Sequence, residues 1–357
     1  MSTTTSIASS GSGLSARQVH DLVRDLMAPR PVVFWTDFLI TIVIAYTSLL
    51  AYLTATNFSW QQAVALVVSS LAFYRAAIFT HEMAHQPAQQ FRTFRLVWNL
   101  LCGIPCMIPL FMYGDHRTHH VNHSYGTHAD AEYLPLGVQP LSSFYQYLAV
   151  SILLPCFGPV RFMITAPLSW LRSSWRPWVW QHMSAIAMNP QHCRELPTND
   201  EARQWTIQET GSFILGWTIV GLMLAGVMPW AWLFKLYVLV MIAMALNHLR
   251  ALGAHRYANE GAPMTYVEQL LDSTTIPQHW FVGELWAPLG MRFHALHHLV
   301  PSLPYHAMGA AHRRLMEQLP ADSPYHETIY PTLRAAIMAL YRDARHARQS
   351  SSRQLAT

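Results

Sequence analysis

The sequence predicts an all-α integral membrane protein: four transmembrane helices in two hairpins, re-entrant or interfacial helices between them, and a cytoplasmic cap rich in histidine. Three observations carry that expectation. Hydrophobic residues make up 52% of the chain and charged residues only 12%, against a charged share of roughly 25% in a soluble domain, so lipid has to cover part of the surface. Four segments are apolar over lengths that suit a bilayer crossing. Nine histidines recur at helical spacing beside apolar segments. The net charge of +4 is small and Lys235 is the sole lysine. With no basic stripe interleaved with polar residues, the arginines read as topology signals and no nucleic-acid partner is implied.

Residues 1–14 lack a basic stretch followed by an apolar core, so they read as a disordered lead-in and not a cleaved signal. Residues 15–30 mix charged and apolar positions and predict a short amphipathic helix on the cytoplasmic surface, ending near Pro31. The first span is 32–54, with Asp37 its only charge. After an uncharged link, 55–62, the second span covers 63–79 and runs straight into His81-Glu82-Met83-Ala84-His85. Two further apolar stretches are broken, 96–113 by Gly103, Pro105 and Pro109, and 144–167 by Pro155, Gly158 and Pro159; each either spans or dips in and returns, and the re-entrant form is the one that keeps all nine histidines on one face. The region 171–208 is rich in Trp and Arg and suits the headgroup layer. Spans three and four are 211–227 and 231–246, joined by Met228-Pro229-Trp230. Everything beyond is too polar to cross, and 346–357 reads as a disordered tail. Residues 15–345 therefore form a single membrane domain.

With a cytoplasmic N-terminus, both hairpins return the chain to the cytoplasm. The links facing away, 55–62 and 228–230, contain no Lys or Arg, as the positive-inside rule requires. All nine histidines then lie on the cytoplasmic face, and a bacterial inner membrane is the expected location. Cys102, Cys106, Cys156 and Cys193 make no CxxC pair, which implies reduced thiols and no disulfide framework.

The chemistry resides in the histidines. On an α-helix, His116, His119 and His120 share a face as i, i+3 and i+4. The same spacing returns as His294, His297 and His298; His81 and His85 form an i, i+4 pair, and His255 follows the last span. A lone histidine near a membrane is ordinarily an interfacial polar group, but repeated spacing makes a metal site. Imidazole suits Fe, Zn, Cu and Ni. A catalytic zinc needs three protein ligands, whereas two ions with four or five each use all nine. A reading of a different class is a membrane zinc metalloprotease, since His81-Glu82-x-x-His85 matches H-E-x-x-H with Glu82 as base; it leaves seven histidines idle.

Ligating imidazoles usually donate their other N–H to an acceptor. Glu82, Asp115, Asp130, Glu132 and Asp272 are candidates, with His123, His128, His248, His306 and His312 as supporting or structural residues. Arg117, Arg250, Arg256 and Arg292 flank the clusters and are candidates to meet a substrate head group.

The pattern HxxxH, HxxHH, HxxHH around two hairpins resembles the membrane fatty acid desaturase and hydroxylase superfamily over roughly residues 35–320. Supporting details are the acidic pair in Thr127-His128-Ala129-Asp130-Ala131-Glu132 and the run from His294 to His306 with Pro301, Pro304 and Tyr305. The resemblance implies two iron ions held by His81, His85, His116, His119, His120, His255, His294, His297 and His298. It implies O2 as co-substrate, a fatty acid or fatty acyl substrate, and a separate electron donor: a ferredoxin, rubredoxin or cytochrome with its reductase. Some acyl-CoA desaturases carry an Asn four residues before the extra histidine; Ala251 stands there here, with Asn247 and His248 further back. Desaturation, acyl hydroxylation and decarboxylation of a free fatty acid to a terminal 1-alkene share these boxes. Desaturation ranks first as the commonest outcome in the family.

Overall fold

The computed structural model describes residues 14–186, 188–189 and 191–354. The lead-in expected over 1–14 lies outside them apart from Leu14, which is buried. Among the described residues the regular structure is helical, with only two isolated β-bridges. α1 (Ala16–Val23) is capped by Ser15, whose Oγ accepts from Gln18 N at 3.1 Å.

α2 (Pro31–Thr54) and α3 (Trp60–His85) form the first hairpin. Pro31 opens α2, where its fixed φ fits and no N–H is missed, and Ser59 caps α3 through Gln62 N. The apolar run of the second span ends near Phe79, but the helix does not. It continues to His85 and so holds both histidines of the first group in its last turns. α4 (Arg92–Trp98) passes into a π-turn, Asn99–Gly103, and stops. That limb is too short to cross a bilayer. An 11-residue 3₁₀ helix, Leu110–His120, follows.

α5 (Leu141–Val150) and the limb Leu154–Leu171 meet at a bend of 56°. The limb comprises α6 (Leu154–Pro159), a π-turn Val160–Thr165 and α7 (Ala166–Leu171). Pro155 at its start and the π-turn behind Pro159 account for the break. After α8 (Arg176–His182) come α9 (Asn199–Leu224) and α10 (Ala231–Leu252), the second hairpin. α9 begins twelve residues before the apolar signal at Gly211, because a capping box between Thr198 and Glu201 sets its start. α10 likewise runs six residues past its expected end.

Among the described residues four helices, α2, α3, α9 and α10, are each long and apolar enough to cross a membrane, and the bent pair Leu141–Val150 with Leu154–Leu171 makes a fifth if it is one span. α3 has 56% of its apolar window buried, against 28%, 22% and 17% for the others, so it is the axis of the bundle. It packs on α2, α10 and the 3₁₀ helix. Phe38 meets Phe79 and Phe94 edge-on at 5.4 and 5.3 Å and locks α2 to α3 and α4.

The remaining helices are α11 (Tyr266–Asp272), α12 (Trp280–Trp286), α13 (His294–Leu299), α14 (Tyr305–Gln318), α15 (Pro324–Glu327) and α16 (Leu333–Gln354). α11, α13, α14 and α15 build a second core with α1, in which Val19 and Val23 pack with Leu296, Ala311 and Leu315. Each buried aliphatic side chain there contributes roughly 1.5–3 kcal/mol. α16 extends through the start of the tail expected from residue 346. This cap closes over the C-terminal ends of α3 and α10, where the histidines gather.

Candidate metal centre

The nine histidines converge. Among the described residues they form two groups whose ring nitrogens lie within 4.8 Å of one another: His81, His85, His116, His120 and His297, and then His119, His255, His294 and His298. The expectation that each HxxHH box presents three rings on one face requires correction. In α13, His294 and His298 join the second group and His297 the first. About 40° separates i from i+4 on an α-helix, but about 100° separates i+3 from i+4. The segment bearing the other box is 3₁₀ and not α, yet it divides the same way, with His116 and His120 in the first group and His119 in the second. Each box therefore bridges both groups.

Hydrogen bonds at the far side of the rings fix the tautomers. His119 Nδ1 lies 2.8 Å from Asp130 Oδ2, and His116 Nδ1 lies 2.8 Å from Glu132 Oε1. A carboxylate only accepts, so both protons sit on Nδ1. Tyr125 donates to Asp272 Oδ2 at 2.7 Å, leaving its oxygen to accept from His255 Nδ1 at 2.8 Å. The Nε2 lone pairs of His119 and His255 are thus turned inward and face one another at 3.1 Å, and His294 Nε2 stands 2.8 Å from His255 Nε2 with its own Nδ1 buried and unpartnered. Lone pairs opposed across a dry cleft repel unless a cation stands between them. Both nitrogens of His81 and Nε2 of His85 are buried without a hydrogen-bond partner, which neutral packing would not tolerate. The donor set fits metal ions.

Electrostatics agree with this. Burial holds His120, His294, His297 and His298 well below the usual imidazole range, so their rings are neutral and able to ligate. Burial alone raises the Asp130 carboxyl, but His119 and the backbone N–H groups of Gly126 and Glu132 outweigh it and hold the group ionised. The Asp130 anion in turn makes His119 the more basic ligand. Asp130→Asn is expected to cost about 10- to 100-fold in metal affinity or turnover, measured as metal retained after dialysis against a chelator and as initial rate. Wild-type values for both would remove Asp130 from this role.

Other candidates fall elsewhere. Asp115 bonds His192 Nε2 at 2.7 Å and Arg194 Nε at 3.0 Å, and ties a loop to the 3₁₀ helix instead of supporting a ring. About 120° separates consecutive 3₁₀ residues, which turns it away from its neighbour His116. Glu82 accepts from Tyr305 N at 3.2 Å; it is engaged in packing, and the five-histidine group around His81 and His85 is not a zinc protease's. Asp272 reaches His255 through Tyr125. His248 bonds Ser151, His306 accepts from Arg30 N, and His123 and His128 are exposed. His312, lowered to about 4 by burial, pairs with Tyr325. Arg117 binds Ala84 O at 2.7 Å, capping α3. Arg250 is buried beside Asn247, Arg256 is exposed, and Arg292 pairs with Glu284. Sequence reasoning missed Gln269, whose amide lies 3.0 Å from His298 Nδ1, as well as Tyr125 and Tyr133, whose hydroxyls both bond Asp272. The signal for Gln269 was Gln-x-x-Asp on one short helix face.

The fatty acid desaturase family matches residues 58–329. A ceramide hydroxylase of Caulobacter vibrioides (strain NA1000 / CB15N) is 37% identical over 330 residues, which cover 92% of this chain and 93% of that protein. No solved structure matches the chain. Both matched regions are long enough to take in every histidine of the two groups, and the chain belongs to the membrane fatty acid desaturase/hydroxylase superfamily, as an oxidoreductase of that type.

Proposed function

We propose that this protein hydroxylates the acyl chain of a neutral, amide-linked lipid of the ceramide kind, using O2 at two histidine-held iron ions. The observation that carries hydroxylation above desaturation is the 37% identity to a ceramide hydroxylase along almost the whole of both chains. The reaction balances as R–H + O2 + two electrons + two protons giving R–OH and water. Desaturation would instead release two waters and leave a double bond.

His81, His85, His116, His120 and His297 hold one ion, and His119, His255, His294 and His298 the other. Iron there supplies the activation of O2 and the attack on an unactivated C–H bond. The protein does the rest. Asp130, Glu132 and the Tyr125–Asp272 pair keep protons on the outer ring nitrogens, so the inner ones stay free to ligate. Burial of the rings keeps water from the reacting carbon. Electrons arrive from a separate ferredoxin, rubredoxin or cytochrome. The arginines near the ends of α3 and α10, set against links free of Lys and Arg, support a cytoplasmic site in a bacterial inner membrane.

The test is expression in a host with no ceramide hydroxylase, feeding of ceramide under labelled dioxygen, and mass spectrometry of the lipids. One labelled oxygen gained per acyl chain is the expected result. Loss of two hydrogens without label would install desaturation instead, and a terminal alkene one carbon shorter from free acid would install decarboxylation.

A further inference from the structure

A second polar cluster lies apart from the histidines, in the wall between the first hairpin and α12. Arg75 of α3 makes a two-pronged ion pair with Asp37 of α2, at 2.9 and 2.7 Å, and a further pair with Glu284 of α12. Arg292 approaches the other oxygen of Glu284 at 3.2 Å, and Tyr305 donates to Asp37 at 2.8 Å. Charged groups at span depth are costly and rarely lack a function. Arg75, Glu284, Arg292 and Tyr305 border a cavity of about 880 Å³, within the size range of ligand sites.

The cavity is graded in polarity along the membrane normal. Arg75, Glu284, Arg292 and His306 line one end, while Ile44, Val68 and Leu71 line the other. Ile44 lies seven residues beyond Asp37 on α2, and Val68 seven before Arg75 on α3. On these antiparallel helices both are about 10 Å further from the histidine end. Trp280 and Phe281 of α12 form an exposed apolar side wall. A lipid of the leaflet nearest the histidines has its head and tail in this order.

The charges decide which head fits. Two guanidiniums face two carboxylates, and each carboxylate is already in a pair. A phosphate or a free carboxylate would have to break one of those pairs and leave a half-buried charge without its partner. Hydroxyl and amide groups need only share the existing donors and acceptors. We infer that this cavity binds the neutral hydroxyl- and amide-bearing head of a lipid and leaves its alkyl chain between α2, α3 and α12. It is a recruitment site that prefers a ceramide-type lipid to fatty acid anions and phospholipids, and the lipid has to move toward the histidines before its chain is oxidised. The inference rests on the hydroxylase reading for the identity of that lipid. The cluster also connects to the metal centre through one residue: Tyr305 holds Asp37 with its hydroxyl and Glu82, beside His81, with its backbone N–H.

The test uses the full-length protein in lipid nanodiscs with three photoactivatable probes of equal chain length: a ceramide, a fatty acid and a phosphatidylcholine. Labelled peptides are mapped by mass spectrometry. Expected is ceramide labelling on α2, α3 and α12, displaced by unlabelled ceramide and not by the other two lipids. Val68→Trp, at a half-exposed position, fills the apolar end and is expected to cut that labelling about fivefold or more. Glu284→Gln frees Arg292 and is expected to raise the fatty-acid to ceramide labelling ratio about tenfold, the worth of one charge-assisted hydrogen bond. Should Glu284→Gln fail to give a monodisperse protein, the Val68→Trp result decides alone. Equal labelling of the wild type by all three probes, or ceramide labelling confined to other segments, overturns the inference even when ceramide is still oxidised. Labelling as expected with no oxidation of ceramide upholds the cavity and sinks the hydroxylase reading instead.

Discussion

His119→Ala is expected to reduce bound iron from about two ions to about one and to cut turnover by more than a hundredfold, roughly 3 kcal/mol or more of transition-state stabilisation. His119 belongs to the four-membered group, so its loss leaves three imidazoles, whereas His116→Ala leaves four in the five-membered group. The two variants should therefore differ. Both lose turnover, but His116→Ala keeps more of its metal. The loss also exceeds that of Asp130→Asn, since an outer partner tunes a ligand without removing it. Iron content by atomic emission and rate of product formation measure it. His123→Ala, at an exposed position outside both groups, serves as the control and should match wild type in both. Two irons with undiminished turnover in His119→Ala would show that the second group is not a catalytic metal site.

The nine ligand candidates were legible because spacing and apolar context are local properties of a chain. The hairpins were legible for the same reason, apart from their ends. The apolar signal stops near Phe79, but nothing makes the helix stop there, so α3 carries His81 and His85 past it. The division of each HxxHH box between two groups was not legible. Spacing shows that three rings lie near one another, while the choice of group depends on where α3, α13 and the loop at His255 approach from. Asp130 and Glu132 follow their rings closely in sequence, and each carboxylate lies 2.8 Å from a ring nitrogen. Asp115, nearer still, was misread, because the 3₁₀ helix turns it outward to Arg194. The Asp37–Arg75 pair joins helices whose facing sides only packing determines. Gln269 and Tyr125 act through bonds spanning far along the chain, and no local pattern announces those.

The buried charge cluster at Glu209 carries the largest expected effect on stability. Glu209 and Arg161 are both fully buried, and Arg176 bonds the second carboxylate oxygen. Arg161 belongs to the π-turn of the bent limb, where it also binds Met183 O and Ser184 Oγ; Glu209 lies on α9. One carboxylate thus fastens the broken limb to a membrane-spanning helix. Glu209→Leu would leave two guanidiniums without a counter-charge in a dry site, and about 3–5 kcal/mol of stability should go with it. Arg161→Met with Glu209→Leu removes the buried partner as well. Arg176, which retains some exposure, can turn its head toward water. The double variant is therefore expected to recover much of the loss, measured as the heat-induced decline of the monodisperse peak in detergent. The damage should also reach the metal. On α9, Trp205 stacks on Phe111 at 5.1 Å and Gln208 accepts from Phe111 N. Phe111 lies in the first turn of the 3₁₀ helix that carries His116, His119 and His120. A displaced α9 loosens that helix at its root, so Glu209→Leu should lose iron more readily than wild type and the double variant less so. A double variant no better than the single one would mean that the cluster stabilises through shape alone and not through the pairing of its charges.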